Sequence, residues 1–151
     1  MFNCYAIQRV NKEDFEEITE VWEASVRATH HFLPESDIAY FRPLILHEYL
    51  KAVELYAVRN DQERILGFLG VADGKIEMLF VDPASMGRGI GRQLLQFAVK
   101  KLGAFKLDVN EQNEQAAGFY RKMGFRVSGR SPVDGMGKPY PLLHMEYHAP
   151  E

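Results

Sequence analysis

Ile76-Glu77-Met78-Leu79-Phe80-Val81-Asp82-Pro83-Ala84-Ser85-Met86-Gly87-Arg88-Gly89-Ile90-Gly91-Arg92 carries an apolar strand into an amphipathic helix through three glycines at alternate positions. The strand ends at Pro83. The glycines leave a row of backbone N–H groups uncovered by side chains, and the dipole of the helix that follows adds positive potential at the same place. Such a turn is an anion cradle suited to a phosphate or pyrophosphate, with Arg88 and Arg92 placed to add charge.

Downstream, Ile90, Leu94, Phe97 and Ala98 recur at helical spacing, residues 105–109 read as a strand, and Ala116, Phe119, Tyr120 and Met123 return to helical spacing until Gly124 stops them. Residues 125–130 and 142–147 are the last two strands. Upstream, residues 55–59, 65–72 and 75–81 alternate as three antiparallel strands, the latter two joined by Asp73-Gly74, a hairpin pair. Nearer the N-terminus, residues 5–10 form a short strand, and Asn11 with Asp14 resembles a capping box. Ile18, Val21, Trp22 and Val26 then line one helix face. Thr29 to Ser36 form a polar and aromatic junction, and Ile38, Phe41, Ile45 and Tyr49 mark a second helix that Pro43 bends or splits. The order is strand, two helices, three strands, helix, strand, helix, two strands, which predicts an α/β or α+β domain built on a single mixed sheet.

Two phosphate-binding patterns fail on the glycine turn. A P-loop counted from Gly87 needs Gly-Lys where Arg92-Gln93 stand, and a dinucleotide fingerprint needs a third glycine where Arg92 stands. The turn instead resembles the acyl-CoA loop of the GNAT superfamily of N-acetyltransferases, Gln/Arg-x-x-Gly-x-Gly/Ala. Gly89 and Gly91 match that signature, Val81-Asp82-Pro83 matches the strand end before it, and Met86 departs from its first position. The resemblance continues through Leu107-Asp108-Val109-Asn110-Glu111-Gln112-Asn113 and Ala116-Ala117-Gly118-Phe119-Tyr120-Arg121-Lys122-Met123-Gly124-Phe125. These are similar to the family's strand, asparagine-bearing loop and Phe-Tyr-x-x-x-Gly-Phe helix. It spans about residues 55–147, and Gly137-Lys138-Pro139-Tyr140-Pro141-Leu142-Leu143 is similar to a bacterial peptidyl-lysine acetyltransferase subgroup.

The resemblance implies a mostly antiparallel sheet flanked by helices and transfer of acetyl from acetyl-CoA to a primary amine, on a protein lysine or a small molecule, by direct attack in a ternary complex. Leu79, Phe80 and Val81 would meet the pantetheine arm, Met86, Gly87, Arg88, Gly89, Ile90, Gly91 and Arg92 the pyrophosphate, and Asn113 both the helix start and the arm. Tyr120 would protonate the departing CoA thiolate, since a phenol's reference pKa of about 10 lies above a thiol's roughly 8.5. The general base stays open among Glu77, Asp108, His30, His31 and water; alternation puts Glu77 on the face of Leu79 and Val81. His30 and His31 would wall the acceptor site. No metal is implied, because the histidine pair lacks a third ligand at a recognisable spacing. An acyl-CoA sensor without turnover is the alternative.

Composition bounds the rest. With 151 residues, 46% hydrophobic, 10 Phe, 7 Tyr and 1 Trp, the chain suits one globular domain, 1–151, with one substantial core. Eighteen Lys and Arg against 21 Asp and Glu give a net charge of -3 and a pI near 6.0, which gives non-specific nucleic-acid binding no support. Cys4 is the single cysteine, so no internal disulfide is available, and it reads as a small apolar filler. Polar residues break up the N-terminus before a signal core forms, and no run is long enough to span a membrane. A cytoplasmic monomer or homodimer is expected.

Overall fold

The computed structural model describes residues 5–149, so Cys4 lies outside the described residues. Seven strands form one sheet in the order β1-β2-β3-β4-β5-β7-β6. They are β1 Ile7–Arg9, β2 Glu54–Arg59, β3 Ile65–Ala72, β4 Lys75–Val81, β5 Lys106–Asn110, β6 Phe125–Ser131 and β7 Leu142–Tyr147. Every pairing is antiparallel except β4 with β5. The single mixed sheet is the one expected from the element order, and its mostly antiparallel pairing with flanking helices is the one that the resemblance implied.

Four helices cover it: α1 Phe15–Thr29, α2 Glu35–Leu44, α3 Ile90–Leu102 and α4 Glu114–Lys122. The sheet separates two apolar interiors, as its period-2 alternation requires. On one side Leu69, Val71, Leu107 and Met145 pack with Leu94, Leu95 and Ala98 of α3 and Ala117 and Tyr120 of α4. On the other Ile65, Phe68 and Met78 pack against Ile18, Trp22 and Val26 of α1 and Ile38 of α2. The Asn11/Asp14 capping box is present, but it opens a short 3₁₀ turn, Lys12–Asp14, that runs on into α1.

The second helix changes character after Pro43 instead of continuing to Tyr49. Proline has no N–H for the carbonyl four residues back, and the chain widens into one π-helical turn, Ile45–Tyr49, before a 3₁₀ turn, Leu50–Ala52. The widened turn still buries Ile45, and the 3₁₀ turn Leu50, in the α1 and α2 interior.

Two irregularities in β4 shape everything that follows. First, Gly70 pairs with Met78 but Val71 pairs with Ile76, so Glu77 is the extra residue of a β-bulge. Alternation does not carry across a bulge. Ile76 and Leu79, three residues apart, therefore face the same interior, and Glu77 does not take the face of Leu79 and Val81 that simple alternation assigned to it. Second, β4 and β5 pair only at Lys75 with Lys106 and Ile76 with Leu107. Beyond those residues the two strands splay, and the backbone edge of β4 over Leu79 to Val81 has no strand partner.

Candidate active site

The splay opens a cavity of about 480 Å³. At one end stands the glycine turn. Asp82 begins it by accepting from the Ala84 N–H at 3.3 Å, while its own N–H donates to the Leu66 carbonyl at 2.8 Å, which ties the turn to β3. Gly87 and Gly89 have φ of +82° and +81°, a region that residues with a Cβ adopt at a cost. Gly89 is the N-cap of α3 and supplies no side-chain cap, so the first-turn N–H groups of Ile90, Gly91 and Arg92 are left for a ligand. A pyrophosphate fits this donor set.

Of the predicted cofactor residues, Leu79, Phe80, Val81, Met86, Gly87, Gly89, Ile90, Gly91, Arg92, Asn113 and Tyr120 all line this cavity. Arg88 does not, and it is exposed. Tyr120 is 9% exposed, between the rings of Phe119 at 5.4 Å and Phe125 at 6.1 Å. Burial pushes its phenol pKa well above the ordinary value. Its hydroxyl has no hydrogen-bond partner among the described residues, so it stays protonated at neutral pH and its donor is uncommitted.

The cavity is also lined by Ser25 and Thr29 of α1, by His30 just beyond it, by Glu77 of β4 and by Asp108 and Asn110 of β5. Thr29 Oγ1 donates its one proton to the Ser25 carbonyl at 2.8 Å, and therefore accepts from His30 Nδ1–H at 2.8 Å. His30 Nε2 is left as the acceptor, facing Asn113 Nδ2 at 3.4 Å. Burial, with a smaller contribution from the neighbouring His31, pushes the His30 pKa down to about 4, so the ring is neutral at pH 7. His31 is exposed and outside the cavity lining. Asn113 also caps α4, accepting from the Ala116 N–H at 3.2 Å.

Asp108, one of the candidate bases, gathers partners that had no signature in the sequence. Asp108 receives Lys75 Nζ at 2.7 Å and His144 Nδ1 at 2.6 Å, and His144 Nε2 meets Ser131 Oγ at 2.6 Å. Partial burial works to raise the Asp108 pKa, but Lys75 and His144 outweigh it and hold the carboxyl below its usual range. Lys75 also lies 4.0 Å from Glu77. His144 stands directly across from Asp108 in the β5 and β7 register, a pairing of residues 36 apart that only the folded sheet reveals.

The cavity thus combines a strand edge without a partner, an uncapped helix start, a protonated phenol and carboxylates. Residues 51–127 match the family described as "Acetyltransferase (GNAT) domain". The chain is 41% identical to "Peptidyl-lysine N-acetyltransferase YjaB" of Salmonella typhimurium over 141 residues, 93% of this chain and 97% of that one. It shares its fold with apo-form YjaB from Escherichia coli at a TM-score of 0.87, with 38% identity, covering 98% of this chain and 100% of that one. The PaiA N-acetyltransferase of Thermoplasma acidophilum, solved with coenzyme A, shares the fold at a TM-score of 0.72 with 23% identity, covering 97% and 100% of the two chains. The protein belongs to the GNAT acetyltransferase family and is an N-acetyltransferase.

Proposed function

We propose that the protein transfers the acetyl group of acetyl-CoA to the side-chain amine of a lysine in another protein, with both substrates bound at once. The observation that carries this is the continuity of the cavity, which runs from the uncapped start of α3, through the splay of β4 and β5, to Glu77, Asp108, Asn110 and His30. A donor and an acceptor meet in such a channel without a covalent enzyme intermediate. The lysine acceptor is supported by the name of the Salmonella relative and by the carboxylates of Glu77 and Asp108 at the acceptor end.

Acetyl-CoA supplies the thioester carbonyl. The first-turn N–H groups of α3 and the side chain of Arg92 hold its pyrophosphate, and the unpaired edge of β4 at Leu79 and Val81 pairs with its pantetheine arm like an added strand. Glu77, directly or through a water, takes the proton that the acceptor amine gives up as its nitrogen attacks. As the carbon–sulfur bond breaks, the Tyr120 hydroxyl donates to the thiolate. The same apolar surroundings that raise the phenol pKa make that thiolate a stronger base than it is in water, so the transfer stays feasible. The net charge of -3 gives non-specific nucleic-acid binding no support.

Incubation with acetyl-CoA and lysine peptides should release free thiol and acetylate the lysine, read by mass spectrometry. Binding of acetyl-CoA without thiol release for any primary amine would support the sensor alternative instead. Gly89→Glu should abolish acetyl-CoA binding in calorimetry, since it puts a Cβ at φ +81° and a negative charge into the anion cradle. Unchanged affinity would move the pyrophosphate elsewhere.

A further inference from the structure

Lys75 opens β4 directly after the Asp73-Gly74 hairpin, and its ammonium meets both carboxylates that line the cavity. Its Nζ stands 2.7 Å from Asp108 Oδ2 and 4.0 Å from Glu77 Oε1. Of the lysines among the described residues, only Lys75 touches a cavity carboxylate: Lys106 pairs with Glu146 and Lys138 with Asp37, both outside the lining. An acceptor amine has to come within a hydrogen bond, or one water, of the group that takes its proton. The Lys75 nitrogen already stands close to Glu77, on a flexible four-carbon stem whose side chain is 35% exposed.

Partial burial works to lower the Lys75 pKa, but the hydrogen bond and charge of Asp108 and the charge of Glu77 outweigh it, so the nitrogen rests as an ammonium. Uncatalysed acetylation by acetyl-CoA needs a free amine. It therefore falls on exposed lysines without a carboxylate partner, such as Lys100 and Lys101, before it falls on Lys75. A reaction assisted by a base beside Lys75 reverses that order.

We propose that Lys75 is an acceptor lysine within the chain itself, which the enzyme acetylates from its own bound acetyl-CoA. This rests on the acetyl-transfer reading above and adds a modification site to it. The Lys75 ammonium carries two more hydrogens than the amide nitrogen keeps. One passes as a proton to Glu77 and on to solvent. The nitrogen bonds to the thioester carbon, the carbon–sulfur bond breaks, the Tyr120 hydroxyl protonates the thiolate, and the second proton restores that hydroxyl. The products are Nε-acetyl-Lys75 and CoA. Acetylation replaces the ammonium by a neutral amide, which removes a positive charge beside the two carboxylates and leaves Asp108 paired with His144.

Wild-type protein incubated with acetyl-CoA and no added amine should gain one acetyl group, which peptide mass spectrometry should map to Lys75. The rate per molecule should not change with protein concentration, as a reaction within one chain requires. Tyr120→Phe should slow the modification by about 10²-fold or more, as it slows transfer to a peptide. Acetylation of Lys100 and Lys101 ahead of Lys75, or of Lys75 equally fast in Tyr120→Phe, would make the modification uncatalysed and overturn the proposal. A rate per molecule that rises with protein concentration would place the reaction between copies and overturn it as well. Wild-type protein that acetylates lysine peptides while Lys75 stays unmodified would sink this inference alone. Absence of thiol release with any primary amine would remove the acetyl-transfer reading together with it.

Discussion

Tyr120 is held by packing, and its hydroxyl is left uncommitted. Its ring is buried against Phe119 and Phe125, while its hydroxyl bonds to no described residue. Tyr120→Phe should therefore leave folding stability nearly unchanged and acetyl-CoA affinity close to wild type. It should lower kcat by about 10²- to 10⁴-fold, the usual worth of general acid catalysis. A variant with unaltered kcat at every pH would remove the acid role. His30 gives a second test at this scale. Its folded pKa of about 4 lies below the roughly 6.5 of an unfolded histidine, so between these values the unfolded chain binds the extra proton. Stability is full above about pH 6.5 and falls as the pH drops towards 4, by about 2–3 kcal/mol from this residue. Urea unfolding across that range should show an acid limb in the wild type that is flatter in His30→Gln; identical slopes would mean that the ring is not desolvated.

At the scale of elements, α2 is tied to the connection between β6 and β7 by contacts between distant segments. Asp37 in α2 accepts from the Tyr140 hydroxyl and pairs with Lys138 Nζ at 3.3 Å, both from the connection between β6 and β7. Lys138 also sits 4.5 Å over the ring of Tyr40, and Tyr140 packs on Phe32 at 5.9 Å. The hydrogen bond from Tyr140, with help from Lys138, holds the Asp37 carboxyl below its usual range. Its contribution is thus present above the ordinary aspartate pKa and lost as the pH falls through the lowered folded value. Asp37→Asn at neutral pH should speed hydrogen exchange in residues 132–141 and leave β5 protected; equal protection would show that the connection is held by other contacts.

The strand-turn-helix from Ile76 to Arg92 and the helix carrying Tyr120 were legible because period and glycine position are local properties of the chain. The β-bulge was not, because no residue type marks Glu77 as extra until β3 sets the register. Nor was the pairing of Asp108 with His144, which antiparallel register sets opposite one another, or the contact of His144 with Ser131. Histidine proximity in sequence pointed to His30 and His31 alike. The chain leaves the helix at His30, the C-cap of α1, which lines the cavity, while His31 in the following turn is exposed.

Across the whole molecule, α3 meets the sheet beside β4 through a close approach at Gly67. A Cβ on Gly67 of β3 would lie 2.9 Å from Ile90 Cγ2 and 3.2 Å from the Phe80 carbonyl oxygen, so the absence of that carbon lets the start of α3 settle onto the sheet beside β4. The anion cradle and the open strand edge are thereby fixed relative to one another. Gly67→Val should push α3 outward, costing about 1–3 kcal/mol by overpacking, and should misalign the cradle with the slot. Ile38→Val, in the interior on the other face, should cost about 0.5–1.5 kcal/mol and leave the cradle alone. Acetyl-CoA at a hundred times its Kd adds about 2.7 kcal/mol to the folded state, and near this chain length each kcal/mol moves Tm by roughly 2–4 °C. Wild type and Ile38→Val should both gain roughly 5–10 °C in Tm on saturation. Gly67→Val, at the same acetyl-CoA concentration, should gain clearly less. An equal gain in all three would mean that α3 and the β4 edge bind the cofactor independently of how closely they pack.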